Sequence, residues 1–467
     1  SPNGRGHIAT RPVLKRMSSF PKLPPGPPGR ILVGNALELS RNWMGFLTDC
    51  ARKYGDAVFF RFFSVPICLL VHPDYIEHVL VTNPSNFVKS RDYRVLSRVM
   101  GEGLLTAEGE AWRRQRKLVQ PAFHHENIVE YGTVMVDCAL QMLATWEDGG
   151  VRDIHKDMTH LTLEIVTHAL FGTTVLDRAD DVASGLQSMM EEFTWHANLS
   201  FILPDFLPLP VRRRLRRGIE LLDDVFYSMI RARRVNPSDQ NDLLGTLLKM
   251  RHQDGRPMSD RELRDEMMTL LLAGHETTAV CLSWTWYLLS LNKQAETKLH
   301  DEIDAVLGDR DPTVADIPRL RYTEWVIKES MRLYPPAWGI GRRAVADFEM
   351  GGYRLPAGTN IFLMQWITQR DERFYPDPES FRPERWDESL QEMNTPRFAY
   401  FPFGGGPRKC IGASFAMMEA VLLLATCARR FRLELAPDAR IELLPSLTLR
   451  PRFGIRMLVR KISSDLL

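Results

Sequence analysis

A chain of 467 residues has room for a sizeable core, in one large domain or in two or three ordinary ones. Hydrophobic residues at 44%, charged residues at 25% and a formal net charge of +2 are ordinary globular values and give no reason to expect nucleic acid. The six cysteines (Cys50, Cys68, Cys138, Cys281, Cys410 and Cys427) lack paired spacing, which argues against a disulfide scaffold and for free thiols in a reducing compartment.

Residues 1–22 read as a mobile basic tail. The run Leu23-Pro-Pro-Gly-Pro-Pro-Gly29 reads as a stiff spacer leading into one folded domain over 30–467. No run approaches the roughly 18 apolar residues a membrane span needs, and no signal-peptide core is visible. A cytoplasmic protein with at most peripheral membrane contact is expected.

The pattern predicts a helix over 42–54 and strands over 57–63 and 67–72. Helical periodicity then dominates from 108 to 290, broken at Pro121, at 204–210 and at 236–242. Trp112 and Arg116 stand four apart on the helix over 110–120, so indole and guanidinium can face one way and grip a carboxylate. The apolar run 201–210 precedes a basic cluster, Arg212 to Arg217. It reads either as a membrane-contacting or pocket-mouth segment, or as a packed loop before an exposed helix face.

Ser259-Asp-Arg-Glu262 has the form of a capping box, and with no proline before 312 the helix can run to about 291. At roughly 1.5 Å per residue it is about 50 Å long, enough to cross the molecule. In its middle stands Ala273-Gly274-His275-Glu276-Thr277-Thr278. Small residues at 273 and 274 let a flat group approach the backbone, and Thr277 shares the face of Ala273. Glu276 beside it makes an acid and alcohol pair able to relay protons.

Further helices are predicted over 293–307 and 322–334; on the second, Glu329 and Arg332 can pair at i, i+3. Strand-like segments at 340–348 and 359–365 lead into an irregular stretch over 370–400. A helix over 413–431 and a hairpin across 441–459 close the chain. Helices over most of the length with a minor sheet give an α-rich α+β fold.

The segment Phe403-Gly-Gly-Gly-Pro-Arg-Lys-Cys410-Ile-Gly412 places one cysteine in a glycine-rich turn before an apolar helix. Amide groups can point at the sulfur there, and the helix dipole favours the thiolate. With no second Cys or His nearby, a zinc knuckle does not fit and a single sulfur ligand to haem iron does.

Spelled F-x-x-G-x-R-x-C-x-G, residues 403–412 resemble the haem-ligand signature of the cytochrome P-450 superfamily. Residues 273–278 are similar to its A-G-x-[D/E]-T-[T/S] oxygen-activation motif. The likeness is to soluble bacterial members with a eukaryote-like pattern. It implies the family fold, with haem b between the long central helix and the cysteine-loop helix, and Cys410 as the iron ligand. Thr277 and Glu276 are implied as the catalytic proton pair. Trp112, Arg116, Arg408 and Arg342 are implied as propionate partners, with Arg343 an alternative to Arg342. Phe403, Gly412, Ala273 and Gly274 are implied as contacts of the ring.

By position in the pattern, Leu96, Met100, Leu270, Ala337, Trp338, Ile340 and Leu447 would wall a substrate site. Glu329, Arg332 and Arg385, matching E-x-x-R and P-E-R-F, would be structural, with Trp386 in place of Phe. The implied reaction inserts one atom of O2 into a C–H bond of a lipophilic molecule, a fatty acid, terpenoid or polyketide. Electrons would come from a separate ferredoxin- or flavodoxin-type donor. On the layout the resemblance implies, Arg113, Arg114, Arg116, Lys117, Arg408 and Lys409 would cluster into a basic patch able to steer it; read as a lone charge run they form a solvated face. A monomer is expected. Two other classes stay open: a haem-thiolate sensor or electron carrier, which needs no Glu276 and Thr277 pair, and a peroxide-driven haem enzyme.

Overall fold

The computed structural model describes residues 22–462, apart from 91–92, 124, 173–181, 183–184, 187, 190–209, 237–241, 253 and 391–394. The expected tail at 1–22, apart from Lys22, and the apolar run at 201–210, apart from Pro210, lie outside them.

The longest helix, Asp260–Leu291, begins where the sequence places it. The Ser259 hydroxyl accepts from the Glu262 amide at 3.2 Å, and the Glu262 carboxylate accepts from the Ser259 amide at 2.8 Å. From Leu263 to Leu289 it is buried on nearly every face, as a helix through the middle of a large core must be. It packs along Ile154–Phe171, where Thr162 donates across the gap to the His275 carbonyl at 2.9 Å. Gly274 serves this crossing as well, because a Cβ there would lie 3.1 Å from Val166. Helices His125–Leu143, Lys293–Leu307, Arg321–Leu333 and Ala413–Ala428 complete the core around it.

To one side lies a five-stranded sheet in the order Ala57–Phe62, Val65–Leu70, Asn360–Leu363, Ile340–Ala344, Phe87–Lys89. Only the pairing of Val65–Leu70 with Asn360–Leu363 is parallel. The register sets Lys89 opposite Arg342.

The chain end differs from the expected single hairpin over 441–459. Leu443–Pro445 pairs with Leu449–Pro451, but Arg456–Lys461 crosses to a separate sheet between Phe431–Leu435 and Val151–Asp153. Gly454 makes that departure possible: its φ is 69°, and a Cβ would sit 2.2 Å from the Asp153 carboxylate. The helix expected over 413–431 stops at Ala428, because Phe431 starts a strand and buries its ring against Trp146. The segment over 340–348 divides into Ile340–Ala344 and Phe348–Met350, which pairs with Tyr353–Leu355.

An ion network joins Arg321–Leu333 to residues 369–386. Glu329 accepts from Arg332 twice at 2.9 Å, from Arg385 at 2.8 Å and from the Arg382 amide at 3.0 Å. Arg332 satisfies its remaining donors on the carbonyls of Gln369, Pro378 and Ser380. The departure at Trp386 has a use, since its indole N–H donates to Glu329 at 3.0 Å. Trp386→Phe is expected to lower the unfolding free energy by about 1 to 2 kcal/mol, read from denaturant midpoints, by removing one donor to a buried charge.

Candidate active site

A cavity of about 1250 Å³ opens between the central helix and the loop before Ala413–Ala428. Residues 402–412 form one wall and residues 269–281 the other. Gly404 and Gly406 turn the loop at φ values of 68° and 65°. A Cβ on Gly406 would lie 1.8 Å from the Leu80 carbonyl, so no other residue fits. The turn closes with the Cys410 amide donating to the Phe403 carbonyl at 3.0 Å.

Cys410 is exposed to the cavity, whereas the other five cysteines are buried. Burial by the surrounding protein pushes its thiol up, while the Gly412 amide, Arg116 and Lys409 pull the other way. Among the described residues no group of three or more His, Cys, Asp or Glu side chains could hold a metal ion. Cys410 offers a single sulfur, a donor set that fits iron in a macrocycle.

Cations gather at one end. Lys89, Arg116, Arg342 and Arg408 line the cavity with Trp112. The Arg408 guanidinium lies 4.2 Å from the Trp112 ring centre and donates to the Ala107 carbonyl at 2.8 Å and to Glu108 at 2.6 Å. Arg116 donates to the Lys409 carbonyl at 3.0 Å, fixing its helix to the cysteine loop. Arg342 is buried and lines the cavity; strand alternation turns its neighbour Arg343 away. Burial, with Arg408 and Arg342 adding to it, pushes the Lys89 amine down to about 7, against the pull of Glu108. A ring carrying two propionates supplies the negative charge that Glu108 alone does not, so these residues fit haem.

On the opposite wall Ala273 is exposed to the cavity, and Thr277 donates back to its carbonyl at 2.7 Å. Glu276 is only 2% exposed. Its carboxylate accepts from Thr448 at 3.0 Å and forms ion pairs with Arg450 at 3.1 Å and His275 at 3.8 Å. Burial pushes this carboxyl up, but Arg450, His275, His155 and the Thr448 hydroxyl outweigh it and hold the group below the usual carboxylate range. No direct hydrogen bond joins Glu276 to Thr277.

Leu96, Met100, Leu270, Ala337, Trp338, Ile340 and Leu447 all line this cavity, as do Phe403, Gly412 and Gly274. The Trp338 indole donates to the Ser446 carbonyl at 3.0 Å and ties the hairpin tip over the site. Lys89, Glu108, Thr448 and Arg450 were not expected from sequence. Lys89 becomes visible only once strand register sets it opposite Arg342, and Thr448 and Arg450 only once the hairpin folds over the central helix.

A family model described as Cytochrome P450 matches residues 24–457. Cyclooctatin synthase of Streptomyces melanosporofaciens is 37% identical over 91% of this chain and 92% of its own length. Cyclooctat-9-en-7-ol 5-monooxygenase of the same organism is 35% identical, over 92% and 95%. Among solved structures, retinoic acid-bound cyanobacterial CYP120A1 superposes with a TM-score of 0.84 at 26% identity, covering 95% of this chain and 100% of that one. The family match runs through both walls of the cavity, so the chain belongs to the cytochrome P450 family and is a haem-dependent monooxygenase of lipophilic small molecules, supplied with electrons by a redox partner.

Proposed function

We propose that this monooxygenase hydroxylates a C–H bond of a terpenoid. The carrying observation is the wall formed by Leu96, Met100, Leu270, Ala337, Ile340 and Leu447, which presents apolar surface and few hydrogen-bonding groups to a guest. Such a wall suits a hydrocarbon skeleton, as do the guests named for the relatives, cyclooctat-9-en-7-ol and retinoic acid. The test is a panel of cyclic terpenoids and fatty acids scored by the spectral shift on displacing iron-bound water, then by mass spectrometry for one added oxygen. Shifts with fatty acids alone overturn the terpenoid reading.

The cofactor in this reading is haem b, which on a thiolate ligand supplies the oxygen-activating chemistry. Cys410 would hold it, Ala273 and Gly274 would leave room for the ring, and Trp112, Arg116, Arg342, Arg408 and Lys89 would hold its propionates. The apolar walls keep water from the reacting carbon.

Thr277 and Glu276 handle protons. Thr277 presents a hydroxyl to the cavity, and Glu276, kept as a carboxylate by Arg450, accepts protons and returns them through water. Thr277→Ala is expected to lower coupled turnover by about 10²-fold and to raise the peroxide released per reducing equivalent. Unchanged coupling removes Thr277 from the proton path.

Arg113 and Arg114 are exposed on Gly109–Val119, Arg113 pairing with Glu110, and Lys117 and Lys409 are exposed beside them. This face suits a small acidic donor of the ferredoxin or flavodoxin type. Converting Arg113 and Arg114 to Gln is expected to slow donor-driven reduction at low salt and to spare peroxide-driven turnover; equal losses in both assays overturn the docking role. We place the protein in the cytoplasm as a monomer. The compartment rests on the six free thiols, which a reducing milieu keeps. No helix among the described residues is long and apolar enough to cross a membrane.

A further inference from the structure

Met100, Leu104 and Leu105 line the cavity at and beside a turn, residues 101–106, that lies between the helices Tyr93–Met100 and Gly109–Val119. The turn folds on itself through Thr106, whose hydroxyl donates to the Gly101 carbonyl at 2.8 Å. Its place over the cavity is set from outside. Two neighbouring acids of the central helix reach its backbone: Asp265 accepts from the Glu102 amide at 3.0 Å, and Glu266 from the Leu104 amide at 3.1 Å. Glycines allow the approach. A Cβ on Gly101 would lie 2.1 Å from the Asp265 carboxylate, and one on Gly103 would lie 2.5 Å from the Asp265 carbonyl.

Neither acid lines the cavity. Asp265 also pairs with Arg264 at 2.9 Å, and Arg264 pairs with Asp223 of the helix Pro210–Val235 at 2.6 Å, which fixes that carboxylate from a second side. Glu266 is fully buried, and its Oε1 atom has no partner among the described residues. Burial, with Asp265 and Glu262 adding to it, pushes the Glu266 carboxyl up to about 8, against the Leu104 hydrogen bond. A leucine at 266 would spare the cost of burying a carboxyl, but it would orphan the Leu104 amide. What the acid supplies is an acceptor for one amide of the wall.

We propose that Asp265 and Glu266 are positioning residues that hold the 101–106 turn against the central helix and so set how bulky a guest the cavity accepts. Leu104 carries both ends of the link, because its amide is bound by Glu266 and the same residue lines the cavity. A turn released from Glu266 leaves its apolar wall unfixed, and a large guest then has to order that wall as it binds. A small guest escapes the cost. The acids thus govern selectivity by size without touching the guest.

Azoles bind haem iron through a ring nitrogen and read the cavity without turnover. Imidazole and a triphenylmethyl imidazole are titrated into the holoenzyme and scored by the absorption shift. Glu266→Leu is expected to weaken the bulky azole about tenfold, to leave imidazole unchanged, and to speed amide hydrogen exchange in the peptide spanning 101–106. Glu266→Gln keeps an acceptor for the Leu104 amide and is expected to match the parent in both readouts. Gly103→Ala leaves both acids intact but drives the turn off the helix, and is expected to reproduce Glu266→Leu. Parental affinity for the bulky azole in Glu266→Leu, or the same loss in Glu266→Gln, overturns the proposal. Equal weakening of both azoles in Glu266→Leu also overturns it, because the effect is then not one of bulk. If Glu266→Leu fails to fold, Gly103→Ala decides by the same two readouts. The terpenoid reading enters none of these measurements and stands or falls on its own panel.

Discussion

Cys410→Ser is expected to abolish the long-wavelength absorption band of the ferrous–CO complex and to leave monooxygenase turnover at background. Three things make this substitution informative. The loop turns on glycines and closes on a backbone bond from residue 410 to the Phe403 carbonyl, so losing sulfur does not unfold it. The cations and Trp112 that line the cavity keep partners of their own, Arg408 on Glu108 and the Ala107 carbonyl and Arg116 on the Lys409 carbonyl, so the substitution leaves them in place. A serine hydroxyl, finally, gives iron far less electron density than a thiolate. The variant should therefore still bind haem, and only the axial bond should change. Survival of the band would mean that another group ligates the metal.

Glu329→Gln should be the most destabilising single change at the ion network. It keeps the shape of the side chain but strips the charge that Arg332 and Arg385 face with no exposure to water. Removing one partner of a buried pair costs about 3 to 5 kcal/mol, because the remaining charge is left buried and uncompensated. Here two cations are left, against a total stability on the order of 5 to 15 kcal/mol. Little haem-loaded protein should accumulate at growth temperature, and what does accumulate should unfold at a much lower denaturant concentration. A parental midpoint in Glu329→Gln would show that the carbonyls of Gln369, Pro378 and Ser380 carry Arg332 unaided.

Features written into short spacings were legible in the chain. The capping box at Ser259, the cysteine turn and the Glu329 and Arg332 pair each depend on residues within a few positions of one another, where helix and turn geometry decide the outcome. The seven expected wall residues reach the cavity too, but through family position and not through local physics. Sequence did not reveal Lys89 or Arg450, because each takes its meaning from a distant partner. Lys89 looks like a surface lysine until its strand pairs with 340–344. Arg450 looks like a polar hairpin residue until the hairpin lies against Glu276. The course of 441–459 was missed for the same reason: alternation along the last strand is satisfied equally by a local hairpin and by the remote partner it takes.

The tip of that hairpin touches both sides of the chemistry. Ser446 receives the Trp338 indole, Leu447 lines the cavity, and Thr448 bonds Glu276. Three consecutive residues thus link the shape of the cavity to the Glu276 carboxylate. Enlarging the pocket at Leu447 for a bulkier guest is bound to shift Thr448, so it alters the share of electrons that end in product along with the choice of molecule. Selectivity and efficiency in this protein have to be engineered together.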